Sequence, residues 1–223
     1  MLVAPGGASG VAAEIAAVVR VDHPQIEVRL TAVEELAQAL PSGRDAVVVP
    51  LLTWDDPKIL APISQAVADS GASAVVTGAL GPHPLLAEAL HIKLAERDLA
   101  RADRVRLLNV SSPVDAVILA TVGGELAVQA AQATAVLLAS RLTLPVVAAS
   151  LDSEPGISVA ADRLRAAGAA RIALSPCLIG HETPADLVKR AAESIGAGHA
   201  EPLGAHSIIA ELVARAYGSQ LAT

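Results

Sequence analysis

Aromatic side chains are almost missing from this chain: Trp54 and Tyr217 stand alone, and there is no phenylalanine. A core built without them must be filled by Ala, Val, Leu and Ile, and a flat ligand would find only Trp54 to stack on. Cysteine is equally scarce. With Cys177 alone, an intramolecular disulfide is excluded and a cytoplasmic location is the natural expectation. Charged residues make up 17% of the chain and net −7, with Lys and Arg scattered, so nucleic acid is not an expected partner. No apolar stretch runs for the roughly 18 residues of a membrane span without a charge, glycine or proline. Met1 leads into a short apolar run without a basic segment before a longer one, so no signal peptide is expected. What remains is a chain of 223 residues, 53% of them hydrophobic. That is too apolar for disorder and long enough for one large domain or two half-size ones.

Short Val-, Ile- and Leu-rich runs alternate with longer segments of helical period. This alternation predicts βαβ units and parallel sheets. Strands are expected near residues 1–4, 26–31, 45–52 and 73–78, with helices near 10–21, 33–40, 57–70 and 84–98. The polar stretch 99–113 ends in Ser-Ser-Pro and reads as a connector. The pattern then restarts, with strands near 115–121, 145–150, 171–176 and 199–202 and helices near 125–141, 156–167, 184–195 and 207–217. The expected fold is α/β, with two similar halves, each a four-stranded parallel sheet flanked by helices. The expected boundaries are 1–104 for the first half, 105–113 for the connector and 114–223 for the second half.

The residues themselves repeat. Leu80-Gly81-Pro82-His83 answers to Leu203-Gly204-Ala205-His206, each followed by an apolar helix start. Pro50-Leu51-Leu52 answers to Pro176-Cys177-Leu178, and Gly6-Gly7 to Gly123-Gly124. Three matches in the same order, each at the end of a strand, make duplication the better explanation. Strand ends are also where open α/β sheets bind ligands.

Four motifs are candidates for chemistry. In Leu-Gly-X-His, the imidazoles of His83 and His206 serve either as base or ligand, or as caps of the helices they precede. Gly180-His181-Glu182 puts two metal-capable side chains on one loop, the strongest candidate for metal binding or proton transfer, with Thr183 or Asp186 helping to cap the next helix. Asp55 and Asp56 offer oxygen to a hard cation, but Asp56 followed by Pro57 reads more plainly as a helix cap. The glycine turns at 5–10 and 122–125 match no nucleotide-binding pattern. His23, His91 and His199 are read as structural or surface residues, and Cys177 as a packing residue. No G-x-S-x-G elbow supports hydrolase chemistry.

The duplicated Leu-Gly-X-His turn resembles that of the sirohydrochlorin chelatases of the two-half form. So do the Val47-Val48-Val49-Pro50-Leu51-Leu52 strand end and the closing run Glu201-Pro202-Leu203-Gly204-Ala205-His206. The resemblance covers nearly the whole chain. It implies a lyase that inserts divalent cobalt or iron, with nickel as a further choice, into a tetrapyrrole of cobalamin or sirohaem biosynthesis. It implies no organic cofactor. A homo-oligomer or a partner protein fits the same resemblance. In that family the first strand ends in His-Gly-Ser and the loop after the third carries a second His, and these two bind metal and take pyrrole protons. Here Pro5 and Val122 stand at the first position, and the loop Thr53-Trp54-Asp55-Asp56-Pro57 has no His; His181 alone remains. Two alternatives follow. The site has moved to the second half, with His181 and Glu182 as catalytic pair and metal donors, joined by His83 or His206. Otherwise the chain is a catalytically degenerate relative that binds a tetrapyrrole or metal, or acts as a partner subunit. A polycarboxylate macrocycle also calls for a basic cleft, to which Arg29, Lys58, Arg171, Lys189 and Arg190 are the candidate contributors.

Overall fold

The computed structural model describes residues 1–8, 10–41, 43, 45–101, 112–180, 182–184 and 186–221. In chain order the elements are β1 (Leu2–Ala4), α1 (Val11–Asp22), β2 (Leu30–Ala32), α2 (Leu36–Ala39), β3 (Ala46–Pro50), α3 (Pro57–Ser70), β4 (Ala74–Val76) and α4 (Pro84–Ala95). After residues 102–111, which lie outside the described residues and include most of the expected connector, come β5 (Ala116–Thr121), α5 (Gly124–Leu142), β6 (Val146–Ser150) and α6 (Ile157–Ala166). β7 (Ile172–Pro176), α7 (Leu187–Ser194), β8 (Gly198–His199) and α8 (Ser207–Leu221) complete the chain. The strands form two four-stranded sheets of order β2-β1-β3-β4 and β6-β5-β7-β8, parallel at every pairing. The α/β class and the pair of like sheets are those expected from the alternating pattern.

The chain divides into two compact units, one of residues 1–81 with 204–223 and the other of residues 82–203. Neither unit is one repeat cut at the connector. α4 closes the first repeat in sequence, yet it packs on α5 and β7; α8 closes the second repeat, yet it packs on α1 and β3. Each repeat thus ends with a helix that covers the sheet of the other. The crossing falls within the Leu-Gly-X-His turn both times. In each turn the leucine amide is fixed to the loop beyond a strand, Leu80 N–H donating to the Leu52 carbonyl at 2.8 Å and Leu203 N–H to that of Leu178 at 2.9 Å.

In the unit of residues 1–81 with 204–223, Val3, Leu36, Leu40, Val48 and Ile63 form one apolar cluster between the sheet and α2–α3. α3 starts as its residues require: the Asp56 side chain accepts from Lys58 N–H at 2.9 Å, Pro57 occupies the first turn, and Gly71 at φ 63° ends the helix.

In the unit of residues 82–203, Ile118, Ala120, Leu174 and Leu178 meet Ile157, Leu164, Val188 and Ile195 on the α6–α7 side. α5 lies close on its sheet because the face it buries is mostly small: Gly124, Ala127, Ala131, Thr134 and Ala135. These aliphatic cores match the scarcity of rings. α7 begins at Leu187. Asp186 stands at its N-cap without bonding the helix backbone: its own backbone is already helical, at φ −89° and ψ −7°, and its carboxylate pairs with Arg190 instead. Among the described residues, no helix is long and apolar enough to cross a membrane.

Candidate functional site

The loops at the carboxyl ends of the strands are the places to look, and acidic side chains hold them in shape. In the unit of residues 82–203, Thr121 and Ser150 end two adjacent strands in register, and each is only 1% exposed. Asp152 follows. Its carboxylate accepts from the Ser150 hydroxyl at 2.6 Å, the Ser153 hydroxyl at 3.1 Å and the Gly123 amide at 3.1 Å. Burial is the largest single influence on this carboxyl and pushes its pKa up. The bonds from Ser150, Gly123 and Ser153 together outweigh it and bring the value below the ordinary one. The effect is to clamp the glycine turn Gly123-Gly124 at the start of α5 onto the loop after β6. In the other unit, the Asp55 carboxylate accepts from Ala79 N–H at 2.6 Å and ties the loop after β3 to the loop after β4. Neither clamp is visible from sequence spacing, because the partners lie 29 and 24 residues apart. The available signal was a hydroxyl closing each of two neighbouring strands.

The loop after β7 carries the pair singled out above. Glu182 is described, whereas His181 lies outside the described residues. The Glu182 carboxylate turns back on its own loop and accepts from Ile179 N–H at 2.7 Å and Gly180 N–H at 2.6 Å. Both oxygens therefore already serve the backbone, and a metal would compete with two short charge-assisted bonds. Cys177, in the same loop, is 3% exposed, as a packing residue would be.

The duplicated histidines share one geometry. His83 is the N-cap of α4, its Nδ1 accepting from Leu85 N–H at 3.0 Å. Likewise, Nδ1 of His206 accepts from Ile208 N–H at 3.1 Å, at the start of α8. An imidazole that accepts at Nδ1 in its neutral form carries its proton on Nε2. To ligate a metal through Nε2 the ring would have to move that proton to Nδ1 and give up the cap. The two rings also belong to different units, His83 to residues 82–203 and His206 to the other. Among the described residues, no three His, Cys, Asp or Glu side chains gather as a metal-binding group.

Four of the five cations named for a polyanionic substrate have local acidic neighbours; Lys58 serves the structure through its backbone amide, which Asp56 caps. Arg29 pairs with Glu27 at 2.8 Å, Arg171 with Asp115 at 2.8 Å, Lys189 with Glu193 at 3.8 Å, and Arg190 with Asp186. The hydrogen bond from the Arg171 side chain, first among several causes, holds the Asp115 carboxyl below its usual pKa, and the same pair raises that of Arg171.

No protein-family model matches this sequence, and no curated protein matches it either. Among solved structures, the chain is similar to a periplasmic binding protein from Burkholderia mallei, at 11% identity and a TM-score of 0.37 over 89% of this chain. It spans 58% of that protein's length. It is similar also to an arylmalonate decarboxylase, at 16% identity and a TM-score of 0.32, covering 97% of this chain and 92% of that one.

Proposed function

We propose that this chain is a chelatase-class protein of the cytoplasm that brings a divalent metal, cobalt or iron with nickel as a further choice, to a tetrapyrrole of the sirohydrochlorin kind. The observation that carries this reading is the duplication. Two parallel sheets share one strand order, and each repeat ends in the same His-capped turn, in keeping with motifs that resemble that family along nearly the whole chain. Inserting the metal releases two pyrrole protons, and a neutral imidazole near neutral pH suits both loose ligation and proton uptake. His181 is the residue assigned that role. Glu182 assists by fixing the loop that carries it, through the amides of Ile179 and Gly180. No organic cofactor is required. The test is metal insertion followed by absorbance in wild type and His181→Ala; equal rates in the two proteins remove His181 from the mechanism.

A second reading is a non-catalytic relative that binds the macrocycle or the metal, or serves a partner subunit. It is favoured by one specific finding: Glu182, His83 and His206 already use ligating atoms to accept backbone hydrogen bonds. Calorimetric titration with cobalt, nickel and sirohydrochlorin separates the two. Binding without turnover supports the second reading, and turnover excludes it.

A further inference from the structure

α4 is attached to α5 by a polar network built around one buried histidine. His91 is 6% exposed. Arg141, near the C-terminal end of α5, donates from Nε to Nδ1 of His91 at 3.1 Å. Arg141 also pairs with Glu88, one turn earlier on α4, at 3.4 Å. On its far side, Nε2 of His91 meets the Arg101 carbonyl at 2.5 Å.

The protonation state of the ring follows from these partners. A guanidinium keeps all its protons and can only donate. Nδ1 must therefore accept, the ring proton must sit on Nε2, and that proton is the one given to the Arg101 carbonyl. His91 is held neutral, in a single tautomer. A second ring proton would add an N–H at Nδ1 pointing at the N–H of Arg141, so a bond would become a contact between two donors and two positive charges. Among the described residues, Glu88 is the acidic group of the network, and it faces Arg141. β7, the strand on which α4 also packs, contains no ionisable side chain, and the other acid of α5, Glu125, stands at the opposite end of that helix.

We propose that His91 and Arg141 form an acid-sensitive latch, which fastens α4 to α5 while the imidazole is neutral and loosens it when the imidazole takes up a proton. The latch acts on the helix that the first repeat contributes to the unit of residues 82–203. It acts too on Arg101, whose carbonyl it pins. Leu86, Leu90 and Leu94 of α4 are fully buried and do not titrate, so acid loosens the polar side of the helix and leaves its apolar side in place.

The sign follows from linkage. A histidine kept neutral in the fold binds fewer protons than in the unfolded chain, so stability is full above the unfolded value of about 6.5 and falls as the pH drops below it. The full chain is unfolded in urea at pH values from 8 to 5 beside His91→Asn, whose side-chain oxygen accepts from Arg141 without titrating. The unfolding constant of wild type is expected to rise relative to the variant by up to about tenfold per pH unit below 6.5. Nitrogen-resolved NMR of the ring in wild type is expected to show the Nε2–H form at pH 7.5, with α4 amides shifting as the ring titrates. A constant separation between the two unfolding curves overturns the latch. So does an Nδ1–H ring at pH 7.5, or a ring that titrates without moving the α4 amides. Should the Asn variant fail to fold, the ring spectrum of wild type decides alone.

Discussion

Removing either His cap separates its architectural role from a ligand role. In His83→Ala, α4 loses the acceptor for Leu85 N–H, one of the orphan amides of its first turn. Loss of a side-chain N-cap costs about 1 kcal/mol, within a range of roughly 0.5–2. For a chain of this size that is about 2–4 °C in melting temperature. Asn accepts from the same amide through its side-chain oxygen, so His83→Asn is expected to melt within about 1 °C of wild type. Asp adds a negative charge at the positive end of the helix dipole, and His83→Asp is expected to gain a few tenths of a kcal/mol. The series repeated at His206 should give the same order, because Ile208 N–H is capped in the same way at 3.1 Å. The assay is thermal unfolding followed by far-ultraviolet circular dichroism, with cobalt titration on the same samples. If Ala is neutral at both positions, the cap argument fails. If Asn and Asp keep the melting temperature but abolish cobalt binding, the histidines ligate metal and the tautomer argument fails instead.

Three further outcomes are expected. Gly124→Ala should destabilise more than Gly196→Ala. Both need positive φ, 68° and 62°, but a Cβ at 124 meets the Ser153 hydroxyl at 2.9 Å whereas one at 196 meets nothing within 4 Å; urea midpoints of the two variants check the order. Ser175→Ala should be neutral or slightly stabilising, since its hydroxyl is buried and has no hydrogen-bond partner among the described residues; a loss above about 1 kcal/mol would mean the hydroxyl is bonded. The lowered carboxyl pKa values of Asp115 and Asp152 contribute stability that is complete above their ordinary value of 3.8 and lost as the pH falls through the folded values. Acid unfolding of Asp152→Asn should therefore show a shallower loss below about pH 4 than wild type.

Much of the fold was legible because local chemistry and tertiary demand agree. The run Ala46–Pro50 is Val-rich and central in its sheet, and α3 carries its own start at Asp56-Pro57 and its own stop at Gly71. The second strand was expected from residue 26 and begins at Leu30. The reason is visible at Val28, whose carbonyl accepts from the Arg20 guanidinium at 3.0 Å instead of from a strand. The seventh helix was expected from residue 184 and begins at Leu187. Periodicity also says where a helix lies but not which sheet it covers, so the exchange of α4 and α8 left no trace in the pattern. The motifs of the candidate site were legible as residues, and the cap reading of His83, His206 and Asp56 is the one the structure bears out, whereas the turn of Glu182 back onto its own loop was not legible. Whether an imidazole ligates or caps depends on a single backbone amide two residues on, and the Asp152 clamp joins loops too far apart in sequence to be paired by eye.

The exchanged helices also constrain how such a chain can be divided. A fragment stopping at the connector would carry α4 with no α5 to lie on and an α1 left bare where α8 belongs. A protein made of one repeat alone would meet the same shortage, and it could satisfy both surfaces only by lending its last helix to a second copy and receiving one in return. Fusing two such copies end to end turns that reciprocal loan into a permanent internal arrangement.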